Sequence, residues 1–398
     1  MTSQKQAVSK LCILSIASIP LVMTLGNSML IPALPMIEKQ LHISSLYSSL
    51  LITAYSVSSI ILIPIAGFLS DSYGRKKVIL PSLILVFVGG LIAAFASWKM
   101  ENPYSTIMIA RIIQGIGAAG AAPIVLPLVG DLYKQDEQAS AALGIVETAN
   151  TFGKVLSPII GSLLAAIVWY IPFYGISALS LISFLLVVFF VKTPPRKVNK
   201  VKIGKFLKNT MQIFKQEGRW LFPLFLVGGF VMFILFALQV YLSNTLESTF
   251  HLKGVKKGFI LAIPLMVLCI SSLVGGKLIK GSKSKMKQVI IFALLLQACS
   301  LFLFRGYDSL LLLLVIISMN GLAIGLLLPT LDALITENIE RKARGVITAF
   351  YSSARFIGVA AGPPATSLLL GDHIGLTSVV AAFFTLYLVF LCFKKLQI

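Results

Sequence analysis

The chain has 398 residues, 57% of them hydrophobic and 12% charged, with a mean hydropathy of +0.94 and a formal net charge of +20. So small a polar fraction cannot cover a water-soluble surface, which excludes the soluble globular classes. The surplus of base invites a nucleic-acid reading, but its placement along the chain points elsewhere.

Stretches long enough to cross a bilayer, roughly 20 mostly apolar residues, recur twelve times. They lie at about 12–34, 44–69, 78–98, 104–127, 138–161, 164–191, 220–243, 257–276, 287–305, 309–334, 343–370 and 373–393. Each is far longer than the roughly ten alternating residues of a barrel strand, so a polytopic helical membrane protein is expected. Lys5 and Lys10 precede the first stretch as they would in a signal peptide. That stretch is too long for a signal core and no small-residue cleavage site follows, so it reads as a retained first helix.

With the N-terminus placed in the cytoplasm, 25 of the 34 Lys and Arg fall on the cytoplasmic side and 6 on the other. Three remain inside spans: Arg111, Lys154 and Arg355. That asymmetry is the positive-inside pattern, and it puts both termini in the cytoplasm. The charge therefore marks topology and implies no nucleic-acid partner; the partner is the lipid bilayer. Cys12, Cys269, Cys299 and Cys392 are scattered singly, and His42, His251 and His373 sit in separate connections. No disulfide framework, metal site or cofactor site is suggested.

The first span ends in "NSMLIPALP", where Asn27 beside Pro32 and Pro35 is a candidate cavity residue. "GFLSDSYGRKK" follows the second span; Gly67 and Gly74 permit close approach and a tight turn, and Asp71 stands at a helix end. In the fourth span, "RIIQGIGAAG" opens on Arg111, whose guanidinium keeps its charge and would cost about 2.5 kcal/mol or more facing lipid. It must turn inward to acceptors, with Gln114 the nearest candidate.

The fifth span carries "ETANTFGKVLSPIIG". At 100° per residue Glu147, Asn150, Thr151, Lys154, Ser157, Pro158 and Gly161 fall on one face about 120° wide, while Phe152, Val155, Leu156 and Ile159 form the other. Such a face must line a cavity. Direct pairing of Glu147 with Lys154 spans up to about 10 Å of helix rise, so bridging through Asn150 or water is expected. Arg111, Lys154 and Arg355 are the candidate cations for Glu147. Gly153, Pro158 and Gly161 are candidate points of bending or close packing.

Residues 192–219 form the long connector, "KTPPRKVNKVKIGKFLKN" onward. Ile203, Phe206, Leu207, Met211 and Phe214 recur at helical spacing opposite lysines, which predicts an amphipathic helix on the anionic leaflet. The connector divides the chain into an N-terminal half, 1–191, and a C-terminal half, 220–398, of six spans each. Internal repeats link them. "GIGAAGAAPIVLPLVGD" (Gly115–Asp131) matches "NGLAIGLLLPTLD" (Asn320–Asp332), and "GKVLSP" (Gly153–Pro158) matches "GVAAGP" (Gly358–Pro363). "IAGFLSDSYGRKK" (Ile65–Lys77) has a degraded copy in "VGGKLIKGSKSKMK" (Val274–Lys287), with Lys280 in place of Asp71. Gly358, Gly362 and Pro363 thus repeat the features of the fifth span. Two related halves about an axis along the membrane normal is a transporter design with the binding site at their interface.

Gly67–Lys77, Arg111–Gly120, Gly153–Gly161 and Asn27–Pro35 together resemble the loop, fourth-helix, antiporter and first-helix motifs of the major facilitator superfamily, in its twelve-helix drug:proton antiporter branch. Ser157 departs from the glycine usual before the proline. The resemblance implies an all-α fold of twelve transmembrane helices in two pseudo-symmetric halves. It implies a monomeric, multi-pass transporter in a bacterial cell membrane, without enzymatic activity, that exports small amphiphilic compounds or drugs in exchange for protons. It also implies that Asp71, Arg75 and Asp131 form a gate cluster and that Arg111 is linked to proton coupling. Glu147, a carboxyl in a desolvated cavity among the candidate cations, reads either as the group that loads and releases a proton or as half of a structural ion pair holding the two halves in register.

Three cations (Lys154, Arg111, Arg355) against one carboxylate (Glu147) would favour an anionic or polyhydroxylated cargo. The glutamate–asparagine–lysine face is similar to that of siderophore exporters in the same branch. A polytopic membrane enzyme is a remote alternative, because the one long loop is lysine-rich and holds a single acid, Glu217.

Overall fold

The computed structural model describes residues 9–133, 136–193, 203–279, 282–305, 307–339, 341–369 and 373–396. Lys280 and the connector residues 194–202 lie outside them. The helices are α1 (Lys10–Ser28), α2 (Leu34–Leu41), α3 (Ser45–Tyr73), α4 (Arg75–Lys99), α5 (Tyr104–Ala119), α6 (Ala122–Leu132), α7 (Asp136–Ile167) and α8 (Ile171–Phe190). After the connector come α9 (Ile203–Ser248), α10 (Gly254–Leu278), α11 (Lys283–Leu303), α12 (Leu310–Asn338), α13 (Arg341–Leu369) and α14 (Ile374–Lys395).

Two of the expected spans are composite. The first is α1, a 3₁₀ turn at Ile31–Ala33, and α2. Pro32 and Pro35 sit in the first turns of the two later pieces, where a missing N–H costs no helix bond. The fourth is α5 and α6, interrupted at Gly120 and Ala121. Eleven helical segments among the described residues are long and apolar enough to cross a membrane. α13 supplies the twelfth span by length; its polar residues keep it off that apolar set.

α9 takes in the helix expected for the connector. Residues from Ile203 onward are continuous with the seventh span in one helix of 46 residues. Nothing between the connector and Pro223 breaks the helical pattern. Phe214 packs edge-on against Phe225 and Phe350, ring centroids 6.0 and 5.3 Å away, so this part of the helix docks on α13.

The halves meet where α3 packs along α13 and α7 along α10. In repeat terms these are spans two with eleven and five with eight, which the pseudo-two-fold exchanges. Within each half the matched glycines do matching work. A Cβ at Gly153 would press on Leu21 and Thr24, and one at Gly161 would overlap the Met29 carbonyl, so α7 lies directly on the first span. Gly358 and Gly362 similarly abut Gly229 and Phe233 of α9. Helices α7 and α13 remain unbroken through Pro158, Pro363 and Pro364. Across the interface, the Pro158 carbonyl faces Gly258 of α10.

The start of α1, the end of α14 and the start of α9 lie at one end of the bundle, the near end; the loops after α2, α4 and α11 mark the far end. Gly161→Ala should lower stability by about 1–3 kcal/mol through overpacking, read as a drop in unfolding temperature in detergent. Gly144→Ala in the same helix meets open space and should hold that temperature or raise it slightly, since alanine favours the helix by about 0.5–1 kcal/mol.

Candidate functional site

α7 carries its polar face into the space between the halves. Asn150 Nδ2 donates to both oxygens of Glu147, at 3.2 and 3.4 Å, and Thr24 Oγ1 of α1 donates to Asn150 Oδ1 at 2.6 Å. Thr151 Oγ1 donates to the Glu147 backbone carbonyl at 2.9 Å and lies 3.4 Å from its Oε1. Asn150 thus orients Glu147 and ties it to the first span. It makes no bond to Lys154.

Lys154 is 7% exposed, and its Nζ finds no hydrogen-bond partner among the described residues. It feels the charges of Glu147, Arg355 and Asp332, with Cys269 of α10 beside it. Burying an ammonium costs free energy that nearby opposite charge offsets, so these carboxylates hold it in place electrostatically.

From the C-terminal half, Arg355 of α13 pairs with Asp332 of α12 at 3.4 Å, and its guanidinium lies 5.7 Å from the Tyr351 ring. The Tyr351 hydroxyl is buried and unpartnered among the described residues. The pair is partly open, with 17% of the Arg355 side chain and 33% of Asp332 exposed. Helices from both halves therefore converge on one cluster of two acids and two bases.

Asp332 was missed as a site residue in the sequence. The internal repeat aligned it with Asp131, at the end of the fourth span, and so with a gate. The signal that could have found it is its depth: it precedes the end of α12 by six residues, inside an apolar run.

Arg111 does not join this cluster. It is fully buried and donates through Nε to the Leu51 carbonyl at 3.0 Å, and through Nη1 to the Gly26 carbonyl at 3.0 Å and Gln114 Oε1 at 2.7 Å. Nη2 donates to Asn27 Oδ1 at 3.3 Å, and the Tyr55 ring stacks 4.6 Å away. The guanidinium so fastens α1, α3 and α5 together. Asn27 and Gln114, expected as cavity residues, are its acceptors and are themselves buried. The charge balance expected from the sequence changes accordingly, from three cations against one acid to two against two.

At the near end Arg75 Nη2 pairs with Asp71 at 2.6 Å and its Nε with Asp131 at 3.1 Å, while Nη1 donates to Ser70 Oγ at 2.6 Å. Gly74 has φ +108°, a conformation that suits glycine and makes the turn from α3 to α4. Gly67 lies against Ala349 of α13. The expected gate residues are thus brought together, on the interface with the other half. Among the described residues no group of three or more His, Cys, Asp or Glu is placed to hold a metal ion.

The Major Facilitator Superfamily model matches residues 16–363, and again 285–396, and the chain belongs to that superfamily. The bacillibactin exporter of Bacillus subtilis (strain 168) is 50% identical over 380 residues, covering 95% of this chain and 94% of the relative. Multidrug resistance protein 2 of the same organism is 27% identical, covering 90% and 88%. Quinolone resistance protein NorA of Staphylococcus aureus is 29% identical over 43% of each chain. Among solved structures, the human organic anion transporter MFSD10 superposes with a TM-score of 0.75 at 16% identity, covering 97% of this chain and 100% of that one. A bacterial homolog of the human lysosomal transporter Spinster gives the same score at 15%, covering 97% and 96%. These two likenesses are of fold.

Replacing Arg111 by methionine leaves the buried amide oxygens of Asn27 and Gln114 without their donor, each costing about 1–3 kcal/mol. The variant should show a markedly lower unfolding temperature. Arg111→Lys, which keeps the charge and loses the fork, should fall between it and the parent.

Proposed function

We propose that this chain exports a siderophore, bacillibactin or a close chemical relative, by alternating access coupled to protons. The observation that carries the reading is 50% identity to a bacillibactin exporter across 95% of the chain. The multidrug reading drawn from the branch-level motifs takes second place, favoured by the more distant likeness to multidrug resistance protein 2.

The cluster between the halves supplies the means. Glu147 and Asp332 are the carboxylates that load and release protons as the cavity changes sides, and Lys154 and Arg355 are the cations set against them. The unpartnered Lys154 ammonium and the unpartnered Tyr351 hydroxyl, each buried near Arg355 and Asp332, give an oxygen-rich cargo its donors. The case for such a cargo rests on that ammonium and on the relative, since the cations in the cluster do not outnumber the acids. Arg111 serves coupling at one remove, by fixing the first span on which Thr24 and Asn150 hold Glu147. Asp71, Arg75 and Asp131 form the near-end gate.

The basic excess at the near end supports a cytoplasmic location for both termini, so that the far end faces outward. One chain holds both halves of the site and acts as a monomer.

Expression in a Bacillus subtilis strain lacking its own bacillibactin exporter should restore bacillibactin in the medium under iron limitation. Unrestored secretion together with efflux of ethidium would move the assignment to the multidrug reading. In proteoliposomes Glu147→Gln should cut proton-driven export at least tenfold, and Lys154→Ala should raise the cargo concentration needed for half-maximal rate. Asp71→Asn should slow conformational cycling.

A further inference from the structure

The far end of the bundle is closed by charges that the transport cluster does not use. Glu247, at the last turn of α9, divides its two oxygens between two lysines. Oε1 pairs with Lys39 of α2 at 2.8 Å, across the interface between the halves, and Oε2 pairs with Lys257 of α10 at 3.1 Å. Lys257 is 2% exposed and donates back across the interface to the Pro32 carbonyl at 3.0 Å. The chain of contacts therefore leaves the N-terminal half at Lys39 and returns to it at Pro32, passing through Glu247.

Neutral bonds reinforce the crossing. Ser243 Oγ donates to the Ile31 carbonyl at 3.1 Å, and the Ser45 and Ser367 hydroxyls meet at 3.1 Å. The 3₁₀ turn at Ile31–Ala33 makes this possible: it breaks the helical bonding of the first span there and presents the Ile31 and Pro32 carbonyls to the other half.

We propose that Lys39, Glu247 and Lys257 form a latch that holds the far end shut and must part for the bundle to open on that side. The residues are distributed so that parting leaves no buried ion alone. Lys257 keeps Glu247, its partner within the C-terminal half. Lys39, already 67% exposed, goes to water beside Glu38 in its own half, while Glu38 keeps the 2.6 Å bond from Ser48 Oγ. The Lys39–Glu247 pair crosses the interface when shut, while the Glu247–Lys257 pair lies within the C-terminal half and survives opening. Opening therefore gives up one half-exposed ion pair and the Lys257–Pro32 bond without stranding a buried charge. Lys39 and Lys257 thus have a second role beside the topology they mark in the sequence.

The latch is independent of the cargo, so its test needs none. Spin labels on cysteines introduced at the exposed positions Glu101 and Asp308, with exposed Cys299 replaced by serine, report the separation of the halves at the far end. Lys39→Glu sets like charges against each other across the interface, at a site exposed enough to spare folding. It should raise the long-distance population at least threefold. Lys257→Met should do the same by cutting the crossing at Pro32, and the two together should exceed either. Lys39→Arg should retain the parent distribution. An unchanged distance distribution in both Lys39→Glu and Lys257→Met would overturn the latch, whatever the cargo proves to be.

Discussion

An ion buried in a lipid-facing bundle must find its counter-charge or its acceptors inside the protein, since the bilayer core offers none. Three solutions to that constraint organise this chain, at three depths. Arg111 is satisfied by four neutral acceptors and holds three helices of one half together. Glu147, Lys154, Asp332 and Arg355 satisfy one another across the two halves. Lys39, Glu247 and Lys257 do so at the far rim. The first is fixed, because a guanidinium with all its acceptors in one half has no reason to move when the halves do. The other two draw their partners from both halves, so their energies depend on how the halves are placed.

The same division explains where the backbone is tight. Gly153, Gly161, Gly358 and Gly362 bring helices into close contact inside each half, so each half is built as a solid body. Contacts between halves add polar ones to such packing: serine and threonine hydroxyls on carbonyls, such as Thr53 on the Ala360 carbonyl at 2.8 Å and Ser353 on that of Ile60 at 3.1 Å, and the ionic crossings. Hydroxyl–carbonyl bonds can be exchanged for water at low cost. This polar part of the interface can therefore be remade as the halves move.

Much of this was readable in the chain. Hydropathy located the spans, the basic asymmetry suggested their sidedness, and the repeats located the halves. The wheel placed Glu147, Asn150 and Lys154 on one face, and the structure sets that face toward the opposite half. What could not be read was which charges meet. Depth put Arg111 near Glu147, but sequence holds no information on azimuth between helices, and its acceptors lay on α1, α3 and α5. Asp332 was hidden because the repeat assigned it the role of Asp131, although the two sit at different distances from their helix ends. Lys39 and Lys257 belong to the six basic residues on the non-cytoplasmic side, where a lysine near a span terminus reads alike whether it faces headgroups or a partner helix. In the connector, amphipathic spacing fits a leaflet and a helix face equally well; Phe214 meets Phe350 of α13, while Met211 is exposed.

Two acids and two bases at the centre have an electrical consequence. With all four groups ionised their formal charges cancel, so the empty site presents no net charge to the membrane field when access changes sides. A charge carried across the full field is worth about 2.3 kcal/mol per 100 mV. In the proton-coupled cycle proposed above, the voltage therefore acts on this cluster only through the protons and the cargo that it binds.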